Sequence, residues 1–130
     1  MAEGTVVFDA SALLCLFNQE KGSDVVARYL DDPVICTVNL AEVWTKLIDQ
    51  GRLPVSRIQH LIDQASLDVR DFTETLAEEA GRLRLATRAL GLSLGDRACI
   101  ALAQQLKAPV LTADRIWATL DIGVKVIVAR

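Results

Sequence analysis

The chain reads as an α/β domain of three layers, with a central, mainly parallel sheet flanked by helices. Three observations predict this. Short apolar runs of four or five residues recur along the 130-residue sequence, and such runs suit strands of a sheet covered on both faces. Between them lie longer stretches with apolar residues at i, i+3, i+4 and i+7, the period of amphipathic helices. The two kinds alternate, which calls for crossover connections and hence parallel strands joined by right-handed units.

Residues 5–8 (Thr-Val-Val-Phe) are the first strand, and Asp9 stands at its end. Residues 10–17 are a short apolar helix, with Asp9 or Ser11 as its cap. A second helix, 22–30, turns Val25, Val26, Tyr29 and Leu30 inward, and 33–37 is the second strand. Asn39 caps the next helix, and Asn39-Leu-Ala-Glu42 has the spacing of a capping box. Its inner stripe is Leu40, Val43, Trp44, Leu47 and Ile48, and Gly51 ends it. Pro54 opens a further helix carrying Ile58, Leu61, Ile62 and Ala65, so these two form a helical hairpin. Residues 67–70 are a third strand. One long helix is expected over 73–90, with Leu76, Ala80, Leu83, Thr87 and Leu90 inward. Ser93 caps the following helix and puts Asp96 in its first turn. From Cys99 to Leu106 that helix is apolar on most of its circumference. Ala108-Pro109 stops it, 109–112 is a buried strand, 116–120 a short helix, and 124–128 the last strand.

No repeat, low-complexity tract or linker divides the chain, so residues 1–130 are read as one domain with a substantial core. The hydrophobic fraction is 52% and the mean hydropathy +0.30, which predicts some apolar surface for a partner. No apolar run approaches the ~18 residues that span a bilayer, and residues 1–4 lack the positive start of a secretory signal. Cys15, Cys36 and Cys99 are odd in number and widely spaced in apolar segments. They are expected to be reduced core thiols in a cytoplasm, with no disulfide framework. The net charge of −3 argues against a polyanionic partner. That objection lapses if four acids belong to one cation site, because the remaining acids no longer outnumber the 14 bases.

Four acids occupy matching places. Asp9 ends the first strand, Glu42 lies in the first turn after the second, Asp96 opens the central helix, and Asp114 follows the next strand. In a parallel sheet these positions share the carboxyl edge, where ligands bind. Singly, each acid is explained as a helix cap or a first-turn partner of the macrodipole. Together, four carboxylates without basic neighbours repel one another and call for a cation or raised pKa values. Oxygen-only donors select a hard ion, Mg²⁺ or Mn²⁺. The one histidine, His60, lies on the hairpin's second helix, away from the acids, so zinc is not expected. A phosphate-accepting receiver domain would need paired acids after the first strand, and a dehalogenase-type phosphatase a second Asp where Ser11 stands.

The segments Val7-Phe-Asp9-Ala-Ser11-Ala-Leu13, Asn39-Leu-Ala-Glu42-Val, Gly91-Leu-Ser-Leu-Gly-Asp96-Arg-Ala-Cys-Ile-Ala-Leu-Ala103 and Leu111-Thr-Ala-Asp114 follow in this order. With them the chain resembles PIN-domain nucleases, and among these the VapC-type toxins of bacterial toxin–antitoxin pairs. The likeness runs from end to end, as for a single PIN-like domain. It implies a Mg²⁺- or Mn²⁺-dependent endoribonuclease in which Asp9, Glu42, Asp96 and Asp114 are the catalytic, metal-binding acids. Asp9 and Asp96 are expected as direct ligands, with Ser11, Asn39 and Thr112 supporting them. RNA is the implied substrate, a small antitoxin protein the implied partner, and a homodimer the implied assembly. The alternatives are a PIN nuclease of RNA processing and a non-catalytic binding module. Arg52, Arg57, Arg82, Arg84, Arg88, Arg97 and Arg115 are the bases from which an RNA surface would be drawn. The hairpin, with the helix at 13–17, is expected to leave an apolar groove open for the antitoxin, and the short helix around Trp117 to serve dimerisation.

Overall fold

The computed structural model describes residues 4–130, so the first three residues of the segment read for a leader lie outside the described residues. In chain order the elements are β1 (Val6–Phe8), α1 (Ala10–Phe17), α2 (Ser23–Ala27), β2 (Pro33–Cys36), α3 (Thr37–Gln50), α4 (Val55–Gln64) and β3 (Asp68–Arg70). There follow α5 (Glu74–Arg82), α6 (Arg84–Thr87), a 3₁₀ turn (Arg88–Leu90), α7 (Leu94–Leu106), β4 (Val110–Thr112), a second 3₁₀ turn (Arg115–Thr119) and β5 (Val126–Val128).

The strands form one sheet in the order β3-β2-β1-β4-β5, and every pairing is parallel. β1 takes the centre because it is apolar on both faces. Val6 and Phe8 pack into one core cluster and Val7 into the other, as the two-residue period of a strand requires. On the Val7 side lie Leu76 and Ala80 of α5 and the run from Ala98 to Ala103 of α7. On the other side lie Leu13 of α1, Val43 and Leu47 of α3, and Ile58 and Ile62 of α4. These are the three layers expected. After β3 the chain crosses back and adds β4 and β5 on the far side of β1. The strand order therefore reverses between β1 and β4, and the crevice at their carboxyl ends is the switch point at which open α/β sheets bind ligands.

Three helices differ from the expectation. The second is shorter, Ser23–Ala27: Gly22, at φ +97°, stands outside it as the N-cap, and Arg28 is its C-cap. The long helix expected over 73–90 is broken at Leu83 into α5, α6 and a 3₁₀ turn. Thr87 Oγ1 donates to Leu83 O at 2.8 Å, a back-bond that bends helices. Leu76, Ala80 and Thr87 are buried as expected, but Leu90, beyond the break, is 37% exposed. The third difference bears on the site. α3 starts at Thr37, with Cys36 as a cap residue that makes no side-chain bond. Asn39 thus lies inside the first turn and is not the cap. Thr37 Oγ1 accepts from Phe72 N at 3.0 Å, which ties the helix start to the segment after β3 and leaves the Asn39 amide for other partners.

The surface also corrects two expectations. Trp117 is fully buried, so its own side chain offers nothing to a second copy; Arg115, Ile116, Ala118 and Thr119 of that turn are exposed, Ile116 being the large apolar one. Of the hairpin and α1 side chains, Leu14, Leu16, Phe17, Leu40 and Trp44 pack partly buried against the core, and Leu61 is half-buried. Only Ile48, with Val55 beside the link, is exposed there, so the apolar surface is narrower than the composition predicts. Cys15, Cys36 and Cys99 are free and buried, as core thiols should be. Among the described residues no helix is long and apolar enough to cross a membrane.

Candidate active site

Asp9 leaves β1 as the N-cap of α1, its Oδ1 accepting from Ala12 N at 2.8 Å. Two hydroxyls complete its surroundings. Ser11 Oγ donates to Oδ1 at 2.7 Å, and Thr112 Oγ1 donates to Oδ2 at 2.6 Å. The same hydroxyls accept in turn, Ser11 Oγ from Ala113 N at 2.9 Å and Thr112 Oγ1 from Asp114 N at 3.0 Å. The ends of β1 and β4 are thereby stitched together at the switch point. Asp9 is 4% exposed. Burial pushes its pKa from 3.8 up to about 6; the bonds from Thr112, Ser11 and Ala12 oppose the rise, and repulsion from Asp96 adds to it.

Glu42 reaches in from α3. Its Oε1 accepts from Asn39 Nδ2 at 3.0 Å, and the same amide donates to Gly95 O at 3.0 Å, so Asn39 joins α3 to the start of α7. Burial raises the Glu42 pKa; Asn39 opposes this, Asp96 adds to it by repulsion, and Lys46 offsets part of it. The carboxylate lies over Gly95. A Cβ on Gly95 would stand 2.6 Å from Glu42 Cδ, so any other residue there would push the Glu42 carboxylate away.

Asp96 and Asp114 cap the elements they open. Asp96 Oδ2 accepts from Ser93 N at 2.9 Å and Ser93 Oγ from Asp96 N at 3.1 Å, the reciprocal box the sequence predicts. Asp114 Oδ1 accepts from Ile116 N at 3.0 Å.

All four acids, with Ala10, Ser11, Leu14 and Lys46, line one cleft of about 190 Å³. Beneath it, the Cys99 thiol is held well above its ordinary pKa by burial first and then by Asp9, Cys36, Asp96 and Glu42. The structure thus brings together every acid that the sequence singled out, with Ser11, Asn39 and Thr112 in contact with them. His60 is exposed on α4 and takes no part.

Do these residues fit a divalent cation? The donors are all oxygens, and Asp96 raises the pKa of both Asp9 and Glu42 by repulsion. Among the described residues no lysine or arginine forms an ion pair with any of the four. Asn39 Oδ1 is buried without a partner. Asp96 Oδ1, Asp114 Oδ2 and Glu42 Oε2 each remain free of hydrogen bonds among the described residues, because each local bond uses the other oxygen. As placed, however, no three of the described His, Cys, Asp or Glu residues close on a single point. The physical reason is in the same bonds: each carboxylate is drawn onto its own backbone or Asn39 neighbour. The donor set fits a hard cation in chemistry and in charge.

Three residues of the site escaped the sequence reading. Lys46 sits one helical turn after Glu42 and left no signal beyond that spacing. Arg130 adjoins Asp114 only through the return of β5. Gly95 did leave a signal, since glycine in a helix's first turn is a poor helix former that must be explained by something close to it.

Among curated proteins none matches the chain in sequence. In fold it is similar to a chain of a toxin–antitoxin complex from Klebsiella pneumoniae, with TM-score 0.76 and 18% identity over 97% of this chain and 98% of that one. It is also similar to a chain of VapBC2 from Rickettsia felis bound to a DNA fragment from their promoter, with TM-score 0.72 and 14% identity over 95% and 98%. A third likeness is to DNA-bound VapBC from Salmonella typhimurium, with TM-score 0.71 and 15% identity over 97% and 98%. At these identities the likeness is one of fold. In sequence, a profile of the PIN domain matches residues 6–123, a span that holds all four acids, and the chain belongs to the PIN domain family.

Proposed function

We propose that the chain is a Mg²⁺- or Mn²⁺-dependent endoribonuclease and the toxin of a toxin–antitoxin pair. PIN domains are generally nucleases and typically depend on a divalent metal. The observation that carries the reading here is the convergence of Asp9, Glu42, Asp96 and Asp114, from four separate elements, on one cleft in which, among the described residues, no base is ion-paired with any of them. Asp9 and Asp96 would hold the ion, with Glu42 and Asp114 joining them. Bound there, the ion supplies Lewis acidity toward the scissile phosphate and lowers the pKa of the attacking water.

The chain's own residues set up this chemistry. Ser11, Thr112 and the Ala12 amide hold the Asp9 carboxylate in one orientation, so little freedom is lost when a ligand binds. Asn39 holds Glu42 against Gly95. The N-terminal turn of α7 presents Asp96 to the cleft. Among the described residues Lys46 is the one base lining it, and its ammonium would meet a phosphate oxygen.

The likeness to chains from toxin–antitoxin complexes supports a small protein partner. Exposed Ile48, Val55, Leu85 and Leu94 leave apolar surface for that partner and for a second copy. The buried free thiols suit a reducing cytoplasm. One observation favours a different reading, a non-catalytic module: Asp9, Asp96 and Asp114 all make capping bonds. Sequencing of RNA ends after induced expression decides between them. Discrete new ends with wild type and none with Asp96→Asn support the nuclease, and identical ends in both reject it.

Gly95→Ala gives a sharper check on the geometry. The added methyl should raise helix propensity by about 0.5–1 kcal/mol while displacing Glu42, so the protein should melt no lower yet cleave at least about tenfold more slowly. Unchanged cleavage would show that Glu42 need not lie where it does.

A further inference from the structure

We infer that Arg115 and Arg130 form a binding site for a backbone phosphate of single-stranded RNA adjacent to the acid cleft. This rests on the nuclease reading and adds the place where the substrate strand is held. A cavity of about 520 Å³ is lined by Ser11, Ala113, Asp114, Arg115 and Arg130. It shares Ser11 and Asp114 with the acid cleft, so the two are neighbouring compartments of one surface. Their charge balance differs. The cleft has four acids and Lys46, whereas the second cavity sets Arg115 and the Glu20-paired Arg130 beside Asp114. A polyanion is repelled by the acidic edge unless the phosphates beside the reacting one meet positive charge.

Arg130 is held by two bonds and Arg115 by one. Arg130 Nη1 lies 3.1 Å from Glu20 Oε1, and its Nε donates to Ala113 O at 3.4 Å. Arg115 Nε donates to Arg130 O at 3.0 Å. These bonds leave both Nη groups of Arg115 and Nη2 of Arg130 without partners among the described residues. A planar donor fork of this kind matches phosphate oxygens in geometry as well as charge. The loop that brings Glu20 to Arg130 is itself built for close approach. Gly22 has φ +97°, and a Cβ on it would stand 2.6 Å from Ala129 O and 3.1 Å from Arg130 Cβ. Holding the forks beforehand reduces the ordering cost when the strand binds.

The same bonds would also serve as a staple for the end of β5, and the experiment separates the two roles. A short fluorescent single-stranded RNA is titrated by anisotropy, over a range of salt, into Asp96→Asn protein, which blocks turnover, with and without Arg115→Gln. The dissociation constant should rise about tenfold, and the slope of log K against log salt should fall by about 0.7, as for one lost phosphate contact on a single strand. Arg115→Lys keeps the charge and should restore most of the slope but only part of the affinity. In multiple-turnover cleavage with Asp96 intact, saturating RNA should recover most of the rate that Arg115→Gln loses. An unchanged dissociation constant and slope would overturn the inference. So would an equal affinity loss in the Gln and Lys variants, matched by a fall in Tm, because that is the behaviour of a staple. If Arg115→Gln spares RNA binding and instead weakens capture of a co-expressed partner, the arginines serve that protein's acids and the RNA site is wrong. Failure of the nuclease reading looks different: the wild type then cleaves no RNA at all.

Discussion

Asp96→Asn is expected to lower RNA cleavage by at least about a hundredfold, the loss of several kcal/mol of charge stabilisation at the scissile phosphate. The fold should survive. An Asn side-chain oxygen can still accept from Ser93 N, and Ser93 Oγ keeps its bond to the residue-96 amide. The lost negative charge at the N-terminus of α7 costs about 0.3–1 kcal/mol. Relief of repulsion on Asp9 and Glu42 acts in the opposite direction, so Tm should move little. Cleavage assays and thermal melts on the same preparation check both halves. Full activity in the variant would mean that Asp96 is a cap and nothing more.

Asp9→Asn should make the metal-free protein more stable at neutral pH while abolishing its activity. In the folded protein the Asp9 pKa is raised from 3.8 to about 6, so the folded state keeps this proton to higher pH than the unfolded chain does. Stability from this group is therefore greatest below the unfolded pKa, falls as pH rises between about 4 and 6, and stays low above that. The linked change is on the order of 3 kcal/mol. The asparagine variant carries no such slope. Without divalent ions at neutral pH it should melt higher, by roughly 10 °C; near pH 4 it should show no gain, since wild-type Asp9 is then largely protonated. Added Mg²⁺ should stabilise the wild type in proportion to site occupancy and leave the variant unmoved. A variant that melts lower than wild type at neutral pH would identify Asp9 as a stabilising cap.

Much of this arrangement was legible in the sequence because it is local. The buried strands at 5–8 and 109–112 are apolar on both faces, and Ser93 and Asp96 carry their box within a single turn. Asp9, Glu42, Asp96 and Asp114 each follow a strand or open a helix, so a parallel sheet alone brings them to one edge. Asn39 was misread because its spacing to Glu42 fits a cap equally well. The helix opens three residues earlier, with Cys36 as its cap, and the tertiary bonds from Phe72 to Thr37 and from Asn39 to Gly95 have no trace in the local pattern. The break at Leu83 was hidden for a similar reason: the apolar period runs through it, while the back-bond of Thr87 does not appear in a pattern. Trp117 looked available on a short amphipathic turn but fills the core beside α7. Arg130 is positioned by the distant return of β5, and Lys46, one helical turn after Glu42 on α3, leaves only a spacing that many surface pairs share.

The central claim is that the four-acid cleft cleaves RNA only with a divalent cation. It is tested most directly with purified chain, freed of any co-purified protein and stripped of metal. Cleavage of a single-stranded RNA is followed while Mg²⁺ or Mn²⁺ is titrated back, with Asp96→Asn run in parallel. The expected result is no cleavage in chelator, saturable restoration by either ion in the wild type, and none in the variant. Cleavage that persists in chelator, or that proceeds equally in the variant, would contradict the claim.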